Sequence, residues 1–219
     1  MGSRSEIRVM PAGTDDLPVV QNLSGYYVYD FTEYLGWPCP ESGRFGGCDA
    51  MFEEWQAGNN YPFLVKVRGE LAGFAAVGID EPRRQFYIQE FFILRKFRRK
   101  GLGKAVAYQF FDQFAGEWRV EALAANSPAL NFWKAAISEY GKGENLRSDE
   151  HDSPWGKMRR FQFTRLIDEG IDLADVSPMH DGELELSMTK ENPSDPSRAR
   201  LPEYFFEMRV DGATAGNIK

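Results

Sequence analysis

Histidine and cysteine are scarce in these 219 residues: His151 and His180, Cys39 and Cys48 are all there is. A zinc site draws about four nitrogen or sulfur ligands at close spacing. The cysteines form no CxxC and have no histidine beside them, so no metal site is expected. So few cysteines also exclude a disulfide scaffold and read as reduced thiols in a loop. Long apolar runs are missing too. None approaches the roughly 18 residues of a membrane-spanning helix. The opening MGSRSEIRVM has no apolar core of signal-peptide length, so a cytoplasmic location is expected. Positive charge is in deficit, with Lys and Arg totalling 26 against 33 Asp and Glu, a net −7. A global electrostatic grip on nucleic acid or an anionic membrane is therefore not expected.

What is plentiful is aromatic carbon: 14% of residues, with 17 Phe. That is ample for a core, and the length suits one full domain plus an addition. Residues 6–10 read as an opening strand. Residues 14–35 read as a helix capped by Thr14 or Asp15. The Pro- and Gly-containing stretch 36–48 reads as a loop, and 49–57 as a short helix. YPFLVKV (61–67) and LAGFAAVGI (71–79) form a hairpin about Arg68, Gly69 and Glu70. QFYIQEFFIL (85–94) is apolar on both faces and is expected at the centre of a sheet. Leu102, Ala105, Val106, Phe110, Phe111 and Phe114 then fall on one helical stripe. WRVEALA (118–124) is a strand. A helix opens at Asn126-Ser127-Pro128 and runs to about Ile137, and 157–163 is the closing strand. The fold class is a mixed α/β sheet with a strand–helix crossover after residue 94.

Residues 165–219 read as a β-rich extension beyond a domain spanning 1–164. Within the extension, 190–202 is Pro- and charge-rich, a linker or loop. Thereafter YFFEMRVDGATAG (204–216) aligns with YPFLVKVRGELAG (61–73). Tyr, Phe, Val and three small residues coincide at constant offset. Either two generic hairpins share a turn glycine, or a second copy of the domain begins here. The extension is expected to pack on the first domain or to pair across a homodimer.

The segment richest in chemistry is QFYIQEFFILRKFRRKGLGK (85–104). A strand enters a glycine loop that opens a helix, whose free N–H groups suit an anion. Arg95, Lys96, Arg98, Arg99, Lys100 and Lys104 gather six cations there, on an otherwise acidic chain. Neither a Walker A ending nor a third glycine is present, so the spacing alone names no nucleotide. A basic surface loop capping a helix is the plainer alternative.

Arg98-x-x-Gly101-x-Gly103 after an apolar strand resembles the acetyl-CoA signature of the Gcn5-related N-acetyltransferases (GNAT). Asn126-x-x-Ala129-x-x-Phe132-Trp133 resembles a second element of that family, at the right distance and in the right order. The resemblance covers about residues 6–163 and implies the GNAT acyl-CoA N-acyltransferase fold, acetyl-CoA as cosubstrate, and a small-molecule or protein amine as acceptor. It implies that the backbone of Phe92, Ile93 and Leu94 pairs with the pantetheine arm. It implies that Arg98, Arg99, Lys100, Gly101, Leu102, Gly103 and Lys104 wrap the diphosphate, with Asn126 and Phe132 beside them. It also implies direct attack of the amine on the thioester, without a covalent enzyme intermediate.

That chemistry needs a base for the amine, donors for the oxyanion and support for the leaving thiolate. Glu90, on the strand leading to the loop, is nominated as base; otherwise it is a rim charge or a salt bridge to Arg95. Trp133 takes the position where the family often carries a tyrosine acid. An indole N–H donates a hydrogen bond but is no practical proton donor. Tyr140 is expected beyond the helix end, and the family's Gly-aromatic pair is replaced by Ala136-Ile137. Tyr27, Asp30 and Tyr34 belong to an aromatic and acidic cluster nominated to hold a cationic acceptor, although at helical spacing at least half of its rings would be core. The competing functions are a catalytically impaired acyl-CoA-binding or assembly module, and a nucleotide-binding domain of another kind.

Overall fold

The computed structural model describes residues 7–46, 49–56, 58, 60–80, 82–114, 116–141 and 145–165. The extension and its half-repeat at 204–216 lie outside the described residues. In chain order the described elements are β1 (Ile7–Pro11), a 3-10 turn (Thr14–Asp16), α1 (Leu17–Leu35), α2 (Asp49–Gln56), β2 (Asn60–Val67), β3 (Glu70–Asp80), β4 (Gln85–Ile93), a second 3-10 turn (Arg95–Phe97), α3 (Leu102–Gln113), β5 (Gly116–Leu123), α4 (Ser127–Tyr140), β6 (Arg147–Ser153) and β7 (Gly156–Arg165). The strands form one sheet in the order β1-β2-β3-β4-β5-β7-β6. All neighbours are antiparallel except β4 and β5, which run parallel through the α3 crossover. The apolar β4 is indeed central, fourth of seven.

Local chemistry explains most boundaries. Arg68 and Gly69 sit at φ 52° and 81°, the paired left-handed conformation of a two-residue hairpin between Val67 and Glu70. Helix α1 starts later than expected. Residues 14–16 form the 3-10 turn, and the Asp16 carboxylate accepts the Gly13 N–H at 3.0 Å, so neither Thr14 nor Asp15 is the cap. Gly36, left-handed at φ 65°, ends α1.

Two cores lie on opposite faces of the sheet. On one, α3 and α4 bury Val106, Phe110, Phe111, Trp133 and Ile137 against Phe63, Val77, Trp118, Val120 and Phe163. On the other, α1 and α2 bury Val20, Leu23, Met51, Phe52 and Trp55 against Leu64, Phe74, Ala76 and Phe92. The expected α3 stripe holds at Leu102, Val106, Phe110 and Phe111; Ala107 joins them, and Phe114 lies just past the helix end.

Two further elements differ from the sequence expectation. The strand RSDEHDS (β6) is mostly exposed, so it carries no alternation of apolar residues to reveal it. Pairing with β7 makes it a strand, and Ser153 builds the turn: its Oγ accepts the Trp155 N–H (3.1 Å) and donates to the Gly156 carbonyl (2.8 Å). Helix α4 runs on to Tyr140 rather than ending near Ile137, because Tyr140 packs on Tyr108 and Phe111 and donates to Asp112 Oδ1 at 2.7 Å.

Burial, and then the bond to Asp112, push the Tyr140 phenol up to about 12. The folded state thus holds this proton more tightly than the unfolded chain, whose tyrosine titrates near 10. The stabilisation is complete below about pH 10 and lost as pH rises through about 12. Urea midpoints measured across that window should fall more steeply for the parent protein than for Tyr140→Phe. Equal slopes would count against it.

Among the described residues, no helix is long and apolar enough to cross a membrane, and no group of three or more His, Cys, Asp or Glu is placed to hold a metal ion.

Candidate active site

The site begins where the two parallel strands part. β4 and β5 pair only over Gln85–Glu117 to Ile88–Val120, although both continue to Ile93 and Leu123. From Val120 onward, β5 stays with β7, whose pairing extends to Leu123 and Met158. A wedge therefore opens in mid-sheet. A bulge helps to make it: Ala76 faces Glu90 while Val77 faces Ile88, leaving Gln89 as the extra residue. The bulge resets the alternation, so Ile88, Phe91 and Ile93 belong to the α3–α4 face. Glu90, opposite Ala76, lies on the α1–α2 face with Phe92.

On the α3–α4 face the wedge ends in aromatic carbon. Phe91 stacks on Phe132 (centroids 5.9 Å apart) and meets Trp133 edge-on at 5.0 Å. Gly103 presses against that floor; a methyl there would lie 3.2 Å from the Phe132 ring. Trp133 is buried among these rings. Phe91 was not among the sequence nominees; Phe92, nominated for its backbone, packs its side chain into the opposite core.

The glycine loop lies at the end of the wedge. Arg99 (φ 59°) and Gly101 (φ 79°) take left-handed conformations, and Gly101 caps α3. The first helical donor with a carbonyl behind it is Ala105, whose N–H reaches Gly101 O at 3.1 Å. The N–H groups of Leu102, Gly103 and Lys104 have no carbonyl of the helix to receive them, and they carry its positive dipole end.

Acidic neighbours already hold most of the loop cations. Asp30 on α1 binds Arg95 at 2.7 Å and Arg98 at 2.5 Å, Lys96 binds Glu70 at 2.5 Å, and Lys104 binds Glu139 at 2.6 Å. The pairing raises the pKa of Arg95 through its bond to Asp30 and that of Lys104 through its bond to Glu139. Arg98 Nε also donates to the Ile93 carbonyl at 2.6 Å, so that oxygen is taken within the chain. Among the described residues, Arg99 and Lys100 have no carboxylate partner, and Lys100 Nζ donates to the Lys96 carbonyl at 2.9 Å.

The other nominees fall in different places. Asn126 caps α4, its side chain accepting the Ala129 N–H at 3.0 Å. Tyr27 packs on Phe31, Phe74 and Phe92 in the core. The Asp30 carboxylate faces the loop cations rather than an open acceptor surface. Tyr34 stands in the same field: burial, then Glu33 and Asp30, raise its phenol, against Arg98 and Arg95. Helical spacing alone does not show which side of α1 meets the loop. Arg95, the alternative salt-bridge partner considered for Glu90, is bound to Asp30.

On the α1–α2 face the wedge has a polar rim that the sequence did not disclose. Glu121 is the first β5 residue past the pairing with β4. It accepts from Arg160 Nε at 2.7 Å and lies 3.6 Å from His151 Nε2. Trp37, in the loop after α1, meets Trp155 of the β6–β7 turn edge-on at 5.7 Å. This contact joins two segments far apart in the chain at one side of the sheet.

No curated protein matches the sequence. Solved structures share the fold. An acetyltransferase from Thermus thermophilus superposes with a TM-score of 0.52 at 15% identity, covering 72% of this chain and 96% of that one. A domain from Methanocaldococcus jannaschii superposes with a TM-score of 0.53 at 10% identity, covering 74% and 99%. Residues 28–136, from mid-α1 through the wedge and the glycine loop into α4, match the family model for acetyltransferases of the GNAT family. With the parted strands and the cradle of helix amides at their end, the chain belongs to the GNAT acetyltransferase family and is an acyltransferase.

Proposed function

We propose that the protein moves an acetyl group from acetyl-CoA to a primary amine of a small molecule or protein. The observation that carries this reading is the wedge between β4 and β5 ending at the free amides of Leu102, Gly103 and Lys104. A diphosphate needs such a cradle, because backbone donors at a helix start offer several fixed hydrogen bonds and a favourable dipole. A side chain at Gly103 would meet the Phe132 ring at 3.2 Å, so the glycine lets the helix start sit close against the aromatic floor. Arg99 and Lys100 are the loop cations with charge to spare for further phosphate.

Bound acetyl-CoA supplies an activated thioester: the amine nitrogen bonds to its carbonyl carbon, the carbon–sulfur bond breaks, and CoA thiol leaves with one proton while a protonated amine gives up another. The chain's own task is to hold and move protons. Glu90 stands on the acceptor side of the wedge and receives the proton of the ammonium, directly or through water. Backbone N–H groups of β4 between Phe91 and Ile93 are the donors for developing negative charge on the carbonyl oxygen. Trp133 shapes the floor of the site.

A second reading, an acyl-CoA-binding module without turnover, rests on Trp133, which leaves a buried indole where the reaction would use a hydroxyl proton donor. Coenzyme A release from acetyl-CoA across an amine panel separates the two. Tight binding with no release from any amine would favour the module.

The cradle has its own test. Calorimetric titration should give saturable binding of acetyl-CoA and none of ATP or NAD. Gly101→Ala forces a side chain into a left-handed conformation that costs roughly 1–2 kcal/mol, so acetyl-CoA affinity should fall about tenfold. Unchanged affinity in a folded Gly101→Ala variant would remove the loop from the binding site.

A further inference from the structure

Three buried side-chain atoms among the described residues lack a hydrogen-bond partner: Asn60 Oδ1, Arg119 Nε and His151 Nδ1. All three residues belong to the α1–α2 face of the sheet. Asn60 shares that face with Leu64 of the second core, four residues along β2. Arg119 alternates with Trp118 and Val120, which point to the first core. His151 reaches over β7 to Glu121. Buried polar atoms in native proteins are almost always satisfied. Three orphans on one face, beside the wedge, mark a surface completed by something outside the chain.

Their chemistry describes what completes it. Arg119 Nε is a donor only and requires an acceptor. Asn60 Oδ1 requires a donor; the Asn60 amide nitrogen already binds Met51 O and Gln89 Oε1. Arg119 is fixed in place, its guanidinium 4.9 Å above the Tyr87 ring. Two carboxylates near Arg119 already hold other cations. Asp80, which feels the Arg119 charge, is bonded to Arg83 at 2.6 Å, and Glu121 is bonded to Arg160. Arg147 shares the cross-strand row of Arg119 through Gln162, which adds a second cation. A plain alkylamine or a polyamine would leave Arg119 unanswered and bring more positive charge to it.

We propose that the acceptor is an amino acid, its carboxylate bound by Arg119 and its amine held at the wedge by Glu90 and Glu121. Arg119 and Glu121 are two residues apart on β5, roughly 7 Å along the strand, a span that side chains close around a molecule with both groups. This rests on the acetyl-transfer reading above and names the substrate class of that same site.

The test is CoA release at saturating acetyl-CoA from matched pairs: β-alanine against ethylamine, 4-aminobutyrate against propylamine, lysine against cadaverine. The carboxylated member of at least one pair should be favoured about tenfold or more in kcat/KM, the scale of one lost ionic contact. Arg119→Gln should shrink that ratio towards one, mainly by raising KM for the amino acid, while Arg119→Lys retains part of it. Equal or better use of the decarboxylated amines, or an unchanged ratio in folded Arg119→Gln, would overturn the proposal. Acetyl-CoA binding without release from any of these amines would overturn this substrate class and leave the cofactor reading standing. Failure to bind acetyl-CoA would sink the transferase reading itself, and this proposal with it.

Discussion

Glu90→Gln should lower kcat about 100- to 1,000-fold at about pH 7.5, with the KM for acetyl-CoA nearly unchanged; the magnitude is that of a lost general base. The substitution keeps the shape of the side chain and removes its negative charge, and with it the ability to take a proton. Acetyl-CoA affinity, assigned in the proposal to the amides of residues 102–104, should not respond. The pH dependence makes the prediction specific. An alkyl ammonium titrates near 10, so the fraction free to attack rises about tenfold per pH unit below that value. As pH approaches about 9.5 the reaction needs the base less, and the gap between parent and variant should narrow. A variant that keeps more than roughly a third of the parent kcat near neutral pH would remove Glu90 from the chemistry. A deficit independent of pH would give it a structural role instead.

The second large effect is expected at a residue that touches no substrate. Gly73 on β3 faces Ile93 of β4. A methyl group there would lie 3.1 Å from Ile93 Cα and from the Phe92 carbonyl carbon, and closer still to the Phe92 oxygen. Those are backbone atoms, which cannot swing aside as a side-chain tip can. Gly73→Ala must therefore push β3 and β4 apart at the centre of the sheet. Overpacking ordinarily costs about 1–3 kcal/mol, and a backbone clash in a central ladder belongs at or above the top of that range. A fall in the urea midpoint equivalent to about 3 kcal/mol is expected. Any folded fraction should bind acetyl-CoA less well, because the displaced segment is the end of β4 beside the wedge. A variant as stable as the parent would mean that the β3–β4 spacing is looser than described.

How far the residues alone reach can be followed through particular cases. β4 announces its central place because all-round apolar character has no other stable location in a sheet. The glycine loop is legible as a candidate anion site, because the strand, the glycines and the helix start are contiguous and each acts through the backbone. The α4 cap at Asn126 is equally local. Tyr27, Asp30 and Tyr34 illustrate the opposite. Their spacing places them near one another on α1, but whether that face meets the acceptor, the core or the loop depends on how α1 packs on the sheet. The structure turns Asp30 to Arg95 and Arg98, residues 65 and 68 positions away. β6 escaped notice because an exposed edge strand needs no apolar alternation.

From its own residues, then, this chain dictates a mixed sheet, a central strand running into a glycine loop and a helix start, and membership of a known family of acyltransferases. These rest on short-range rules: periodicity, capping and the conformational freedom of glycine act within a few residues. Only the tertiary structure decides where β4 and β5 part, that the bulge at Gln89 sends Phe91 and Glu90 to opposite faces, and that Arg119, Glu121 and His151 gather beside the opening. Those features arise from pairing between strands distant in the chain, and a one-residue change of register there carries every side chain to the other face.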